Sequence, residues 1–93
     1  MNLYLVSQNK NCFYDTYDSF VVAAETEKEA METSPSEWYR WHDGKWFFQY
    51  ADGTEGSESN NNSWCDPKYV KVELIGVAKK GIKGIVCKSF NAG

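Results

Sequence analysis

The sequence has a single histidine and three cysteines, and it lacks the spacings on which most catalytic and metal sites depend. His42 has no partner nearby in sequence, and Cys12, Cys65 and Cys87 form no Cys-x-x-Cys pair. Structural zinc needs a set of soft ligands at short spacing. No glycine-rich loop follows a strand and opens a helix, as phosphate-binding loops do. We therefore predict that the protein is not an enzyme and that it carries no metal and no cofactor.

Long apolar runs are also missing. The run at residues 3–6 has only four apolar residues and no basic segment before it, whereas a membrane helix needs about 20 apolar residues and a secretory signal about 7–15. An odd number of widely spaced cysteines is typical of reduced thiols rather than of a disulfide framework. These absences predict a cytoplasmic protein that does not enter a membrane.

What the sequence does contain is a series of short strand signals. Residues 3–6 and 20–24 are apolar on both faces, which favours strands inside a sheet. Residues 70–78 alternate as a half-exposed strand does, and residues 85–90 form a closing strand. Between them, Thr26 and Glu29 form a capping box, which predicts a short helix that ends before Pro35.

The clearest local signal is the stretch E-W-Y-R-W-H-D-G-K-W-F-F-Q-Y, residues 37–50. Asp43 and Gly44 are the residues that a two-residue hairpin loop prefers, because both tolerate a positive φ. That loop would place four rings on one face in cross-strand pairs, a face that we interpret as core or oligomer contact. The pairs are Tyr39 with Phe48 and Trp41 with Trp46.

Together these signals predict an α+β fold. We expect an antiparallel sheet of five or six strands with one short helix packed on one face, in a single domain that spans residues 1–93. Residues 52–63 contain no apolar side chain, and their composition predicts a mobile acidic loop.

Charge is distributed unevenly along the chain. Residues 1–66 hold twelve acidic and four basic residues, a net charge of −8, whereas residues 67–93 hold six lysines and one glutamate, a net charge of +5. Either the acidic and the basic part of the chain pack beside each other, or one of them presents its charge to a binding partner. An acidic surface with an aromatic side chain suits a basic protein partner. The candidate residues for that surface are Asp52, Glu55, Glu58, Trp64 and Asp66.

The stretch Y-D-T-Y-D-S suggests a second candidate site. Asp15 and Asp18 are common turn-capping residues, and their spacing is a weak signal for a metal. Tyr14 and Tyr17 offer rings on which a base could stack. Phosphates would then contact the basic turn of Lys79, Lys80 and Lys83. Six lysines beside an acidic segment do not form a duplex nucleic-acid footprint, so we expect no duplex binding.

Four motifs resemble a family of small phage and prophage accessory proteins. They are N-L-Y-L-V-S-Q at the start, Y-D-T-Y-D-S followed by V-V-A-A-E, W-C-D-P-K-Y-V-K-V-E-L-I-G, and the terminal S-F-N-A-G. The similarity covers about the first 35 and last 30 residues and brings no catalytic motif. No site residue is carried over from the family.

The resemblance implies stoichiometric binding inside the host cell, in one of three modes. The first is inhibition of a host antiviral defence protein, in the manner of an anti-CRISPR protein, through the acidic and aromatic surface. The second is a sponge that sequesters a cyclic or linear nucleotide signal. The third is a structural or assembly accessory role. A homo-oligomer is compatible with each of them.

Overall fold

The computed structural model describes residues 1–10, 16–60 and 63–91, without the side chains of residues 90 and 91. Cys12, Tyr14 and Asp15 therefore lie outside the described residues, as do residues 61 and 62 of the acidic segment. Within the described ranges the chain forms seven strands, one α-helix and one 3-10 helix. In chain order these are β1 (Asn2–Ser7), β2 (Thr16–Ala24), α1 (Glu27–Met31), β3 (Tyr39–His42), β4 (Lys45–Gln49), β5 (Glu55–Glu58), the 3-10 helix (Pro67–Tyr69), β6 (Lys71–Val77) and β7 (Gly84–Asn91).

Four strands form an antiparallel sheet in the order β6-β1-β2-β7, which we call the large sheet. The two strands that are apolar on both faces, β1 and β2, occupy its centre, as predicted from their sequence. The half-exposed strands β6 and β7 form its edges. Their unbroken apolar runs thus separate the central from the edge strands in the sequence, although in β1 Tyr4 and Val6 are buried while Leu3 and Leu5, on the other face, are half-buried.

The other three strands form a separate antiparallel sheet in the order β3-β4-β5, which we call the small sheet. Asp43 and Gly44 connect β3 to β4 with φ angles of 53° and 75°, which confirms the predicted turn. The predicted register is also confirmed, since Trp41 pairs with Trp46 and Tyr39 with Phe48.

The prediction of one sheet of five or six strands is wrong, because the strands divide into two sheets. Both edges of the central pair β1–β2 are occupied by β6 and β7, so the β3–β4 hairpin cannot join that sheet beside them. The hairpin instead contributes aromatic rings to the core, where Trp46 is buried and Trp41 half-buried. The broader assignment to α+β remains valid.

Helix α1 packs on β1, β2 and β6, and so lies on one face of the large sheet, as predicted. The hydroxyl of Thr26 accepts a hydrogen bond from the Glu29 backbone N–H at 3.1 Å, which caps the first turn. Ala30 is fully buried against the sheet. No helix in the described part of the chain is long and apolar enough to cross a membrane.

The core lies between the helix-bearing face of the large sheet and the small sheet. Trp64 is 1% exposed and its ring centroid lies 5.2 Å from that of Phe20 on β2. Trp41 and Trp46 meet edge to face at 5.0 Å. Such pairs stabilise a fold beyond the apolar area that they bury. Trp41 and Trp46 thus belong to the core at one end of the small sheet. At the other end of that sheet, Phe48 and Tyr50 are exposed.

Strand β5 corrects the prediction that residues 52–63 are a loop throughout. Residues 55–58 pair with β4, with Glu58 opposite Phe47 and Glu55 opposite Gln49. A hydrophobicity pattern cannot reveal this strand, because it lies at the edge of the small sheet and buries no large apolar side chain. Backbone pairing and cross-strand ion pairs hold it in place.

Candidate functional site

The carboxylates proposed as an acidic surface are engaged within the chain. Asp52 Oδ1 accepts hydrogen bonds from the Thr54 hydroxyl at 2.6 Å and the Thr54 backbone N–H at 2.9 Å. These bonds lower the pKa of Asp52, the hydroxyl contributing most. Asp52 therefore serves as a turn cap between β4 and β5.

Glu55 and Glu58 form ion pairs across the small sheet. Glu55 Oε1 lies 2.9 Å from His42 Nδ1 and 3.7 Å from Arg40 Nε, and Glu58 Oε2 lies 3.6 Å from Lys45 Nζ. The basic side chains of β3 and β4 thus offset both carboxylates. This face carries mixed charge and is not a continuous acidic surface.

Trp64 is buried in the core, so its ring is not presented on an exposed acidic surface. The sequence suggested exposure since the residue follows a long polar segment. Its neighbour Asp66 is exposed and precedes the 3-10 helix, but its side chain makes no capping hydrogen bond there. Of the five residues proposed for the acidic surface, Asp66 alone is both exposed and free of the turn and ion-pair contacts described above.

Residues 16–19, the part of Y-D-T-Y-D-S that the structure describes, lie on β2. The ring of Tyr17 is half-buried against the core, with Lys88 Nζ 5.3 Å from its centroid. Lys88 also donates to the Pro35 carbonyl at 3.0 Å, which fixes its position over the ring. Asp18 is exposed, and its backbone carbonyl accepts from the Gln8 N–H at 3.1 Å.

The basic turn does not meet the tyrosines. Lys79, Lys80 and Lys83 lie between β6 and β7, beside the pair Ala23–Gly84, whereas Tyr17 pairs with residue 90 at the opposite end of the sheet. Six residues of strand separate Tyr17 from Ala23, a distance of about 20 Å. Among the described residues of the predicted site, Tyr17 and the three lysines therefore lie at opposite ends of the sheet, while Tyr14 and Asp15 lie outside the described residues.

A different aromatic and basic site is present at the Tyr17 end of the sheet. The 3-10 helix presents Tyr69, whose ring is 44% exposed. Lys10 Nζ lies 5.0 Å from the ring centroid and Lys68 Nζ lies 5.1 Å from it. Two ammonium groups are therefore held within about 10 Å of each other over one ring, an arrangement that a bound anion would stabilise.

Two adjoining cavities extend from this ring, and we call them together the Tyr69 groove. One has a volume of about 300 Å³ and the other of about 220 Å³. Lys71 lines the second cavity because it pairs with Ser7 at the end of the sheet. The first cavity is lined by Lys10, Trp64, Cys65, Asp66 and Tyr69, and the second by Ser7, Gln8, Asn9, Tyr69 and Lys71.

The electrostatics of the Tyr69 groove favour an anion. Lys10, Lys68 and Lys71 oppose a single carboxylate, Asp66, and no ion pair involves these lysines within residues 1–10, 16–60 and 63–91. Burial raises the pKa of the Cys65 thiol to about 11, so at neutral pH the thiol is protonated and is a poor nucleophile. The groove can hold charged and planar groups by stacking and by ammonium hydrogen bonds.

Sequence reasoning missed this site. Lys68, Tyr69 and Lys71 are close in sequence, and the first two lie on the 3-10 helix that begins at Pro67. Lys10, however, is far away in the chain, and only the pairing of β1 with β6 brings the two segments together. No group of three or more His, Cys, Asp or Glu side chains in the described residues is placed to hold a metal ion.

No known protein family matches this chain, and no curated protein or solved structure matches it significantly.

Proposed function

We propose that the protein is a non-catalytic binding protein that holds a nucleotide-type anion in the Tyr69 groove. The observation that carries the proposal is the placement of Lys10 and Lys68 over the Tyr69 ring without a carboxylate partner among the described residues. A purine or pyrimidine would stack on the exposed part of the ring, and phosphates would contact the ammonium groups. Lysine is well suited to phosphate as a compact point charge.

The size of the groove supports a ligand of nucleotide class. Small-molecule sites have volumes of about 300–1,000 Å³. The first cavity, of about 300 Å³, lies at the lower end of that range, and the second, of about 220 Å³, shares the Tyr69 ring with it. Gln8 and Asn9 line the second cavity, and the Gln8 side chain is fixed there because its Nε2 donates to the Tyr17 carbonyl at 2.8 Å. Duplex nucleic acid does not fit a groove of this size.

The resemblance to small phage proteins indicates what such binding would achieve. A phage protein that sequesters a nucleotide signal in the host cytoplasm would prevent a defence system from responding to it. We therefore propose a cyclic or linear nucleotide signal as the ligand, bound stoichiometrically and without turnover.

A thermal-shift and calorimetry panel tests this proposal. The panel contains ADP-ribose, a cyclic dinucleotide, a linear dinucleotide and inorganic phosphate. A ligand present at 100 times its Kd should raise the free energy of unfolding by about 2.7 kcal/mol. The double variant Lys10→Gln, Lys68→Gln should weaken Kd at least tenfold, because it removes both ammonium groups from the ring.

The matched control removes the same charge from the other end of the sheet. Lys79→Gln with Lys80→Gln lowers the net charge equally and should leave Kd within twofold of that of the unmodified protein. If the two double variants lose affinity equally, binding reflects overall charge and the groove is not the site. A panel without any binding ligand would refute the proposal outright.

The exposed aromatic side chains of the small sheet favour a second function, stoichiometric binding of a basic protein. Trp38 is 55% and Tyr50 60% exposed, and both line a cavity of about 190 Å³ together with Glu37. Tryptophan and tyrosine are enriched among the residues that dominate protein interfaces. This mode corresponds to inhibition of a host defence protein, with Trp38 and Tyr50 as anchors in place of the buried Trp64.

Peptide display can distinguish this second function. Peptides selected from a random library against the unmodified protein should be rich in lysine and arginine. They should bind the Trp38→Ala, Tyr50→Ala variant at least tenfold more weakly, since each anchor contributes about 1–2 kcal/mol or more. The Lys10→Gln, Lys68→Gln variant is the control and should retain the peptides. Unchanged binding to the aromatic double variant would rule out this surface.

A further inference from the structure

Exposed apolar side chains gather at one end of the large sheet, opposite the Tyr69 groove. Strand pairing fixes their positions. Leu74, Tyr4, Val22 and Ile85 form one row across the four strands, and Val77 pairs with Asn2 two rows further along. Six large apolar side chains in this region are exposed, namely Leu74, Ile75, Val77, Ile82, Ile85 and Val86.

The degree of exposure is unusual for a surface that faces only water. Val77 is 77% exposed, although it lies within β6 beside the central strand β1. Scattered exposed apolar residues are normal, but these six gather on the two edge strands and on the connection between those strands, at one end of the sheet, as residues of an interaction surface do. We call these six residues the apolar end.

Charges of both signs border the apolar end. The segment 25–32 follows directly on β2 and has four glutamates and one lysine, a net charge of −3. The connection between β6 and β7 has Lys79, Lys80 and Lys83, a net charge of +3. None of these charged side chains forms an ion pair with another described residue. The border is therefore electrostatically self-complementary.

We propose that the apolar end is the interface of a symmetric homodimer. In a two-fold dimer both subunits use the same patch. If residue i of one subunit contacts residue j of its partner, then residue j of the first subunit also contacts residue i of the partner. A patch with an acidic segment and a lysine turn satisfies this rule, because the lysines of one copy meet the glutamates of the other. The apolar side chains between them lose their contact with water.

The surface area that such a dimer must bury is a small part of the protein surface. A standard interface buries about 800 Å² on each partner. The accessible surface of the described chain is 6102 Å², so the interface would cover about one eighth of it. Balanced charge also argues against an anionic membrane as the occupant, since the glutamates would be repelled from it.

Light scattering and analytical ultracentrifugation at about 1–100 μM test the dimer. The unmodified protein should have the mass of two chains. Val77→Glu should shift it to the mass of one chain, with an unchanged circular dichroism spectrum because the side chain is exposed. Tyr50→Glu, which changes an exposed ring on the small sheet, is the control and should remain dimeric. A single-chain mass for the unmodified protein throughout this range would overturn the proposal.

Charge reversal provides a sharper test. One variant carries Lys79→Glu, Lys80→Glu and Lys83→Glu, and the other carries Glu25→Lys, Glu27→Lys and Glu29→Lys. Each variant on its own should have a dimer dissociation constant at least tenfold higher than that of the unmodified protein, because like charges then meet across the two-fold axis. A mixture of the two should form a heterodimer, since opposite charges meet again at both contacts.

A third variant controls for general attraction between oppositely charged proteins. It carries Asp18→Lys, Glu37→Lys and Asp66→Lys, all away from the apolar end. It should pair with the lysine-reversed variant more weakly than the glutamate-reversed variant does, because only one of its two contacts then joins opposite charges. Equal heterodimer formation in the two mixtures, or none in the first mixture, would contradict the proposed interface. The readout is mass alone, so its outcome is independent of ligand binding in the Tyr69 groove.

Discussion

Replacing Trp64 by alanine is expected to lower the free energy of unfolding by about 3–5 kcal/mol, the usual cost of removing a large aromatic side chain from a core. Trp64 is 1% exposed and packs against Phe20 on a central strand. Small domains have about 5–15 kcal/mol of stability in total. Urea denaturation followed by circular dichroism should therefore show a strong fall in the midpoint, or a protein that is largely unfolded without denaturant.

Trp38→Ala is the matched control, because it removes the same side chain from a position that is 55% exposed. The urea midpoint of this variant should differ only slightly from that of the unmodified protein. The dependence of its free energy of unfolding on urea concentration should remain the same. An equal loss of stability in the two variants would contradict the assignment of Trp64 to the core.

Ala30→Asp is expected to have the second large effect, a loss of several kcal/mol at pH 7. Ala30 is fully buried beneath helix α1, where a carboxylate would lose its hydration without gaining a cationic partner. Burial would raise the pKa of the new carboxyl group above its unfolded value of about 3.9. Thermal unfolding at a series of pH values measures the effect.

The pH dependence of this variant has a definite sign. Below the unfolded pKa both states are protonated and the extra penalty of the buried charge is absent. The penalty increases as the pH rises above about 3.9 and becomes constant above the raised pKa of the folded state. Lys28→Asp, on the exposed side of the same helix, should cost less than about 1 kcal/mol. A similar, pH-independent loss in both variants would refute the burial of Ala30.

The parts of the fold that were predicted correctly have local causes. The Asp43-Gly44 turn, its strand register and the Thr26 cap each depend on residues within a few positions of one another. The central strands could be predicted because each carries an unbroken apolar run. These features require no knowledge of which distant segments come together.

The incorrect parts depend on long-range pairing. Strand β5 has no apolar signal, since only its backbone and its ion pairs with β3 and β4 hold it. The division into two sheets follows from β6 and β7 occupying both edges of the central pair. A local sequence pattern cannot show which edges of a sheet are already paired with other strands.

The candidate site illustrates the same limit. The sequence suggested Tyr14, Tyr17 and the lysines of residues 79–83 as one site, whereas the structure brings Lys10 and Lys68 to Tyr69. Tyr17 packs against the core, and Tyr69 lies on the 3-10 helix. Lys10 joins Tyr69 only because β1 and β6 are neighbours in the sheet. The burial of Trp64 was missed for a related reason, since its partner Phe20 lies on the distant strand β2.

The order of the strands also determines when the protein can complete its fold during synthesis. The central hairpin β1–β2 is translated early, but its outer edges are covered by β6 and β7, whose residues 71–91 are translated after the other described strands. Until then the nascent chain exposes two apolar strand edges, which are sites for mispairing between chains. Closure joins segments about 65–75 residues apart, so we expect the large sheet to close in milliseconds to seconds, and only once residues 71–91 have been translated.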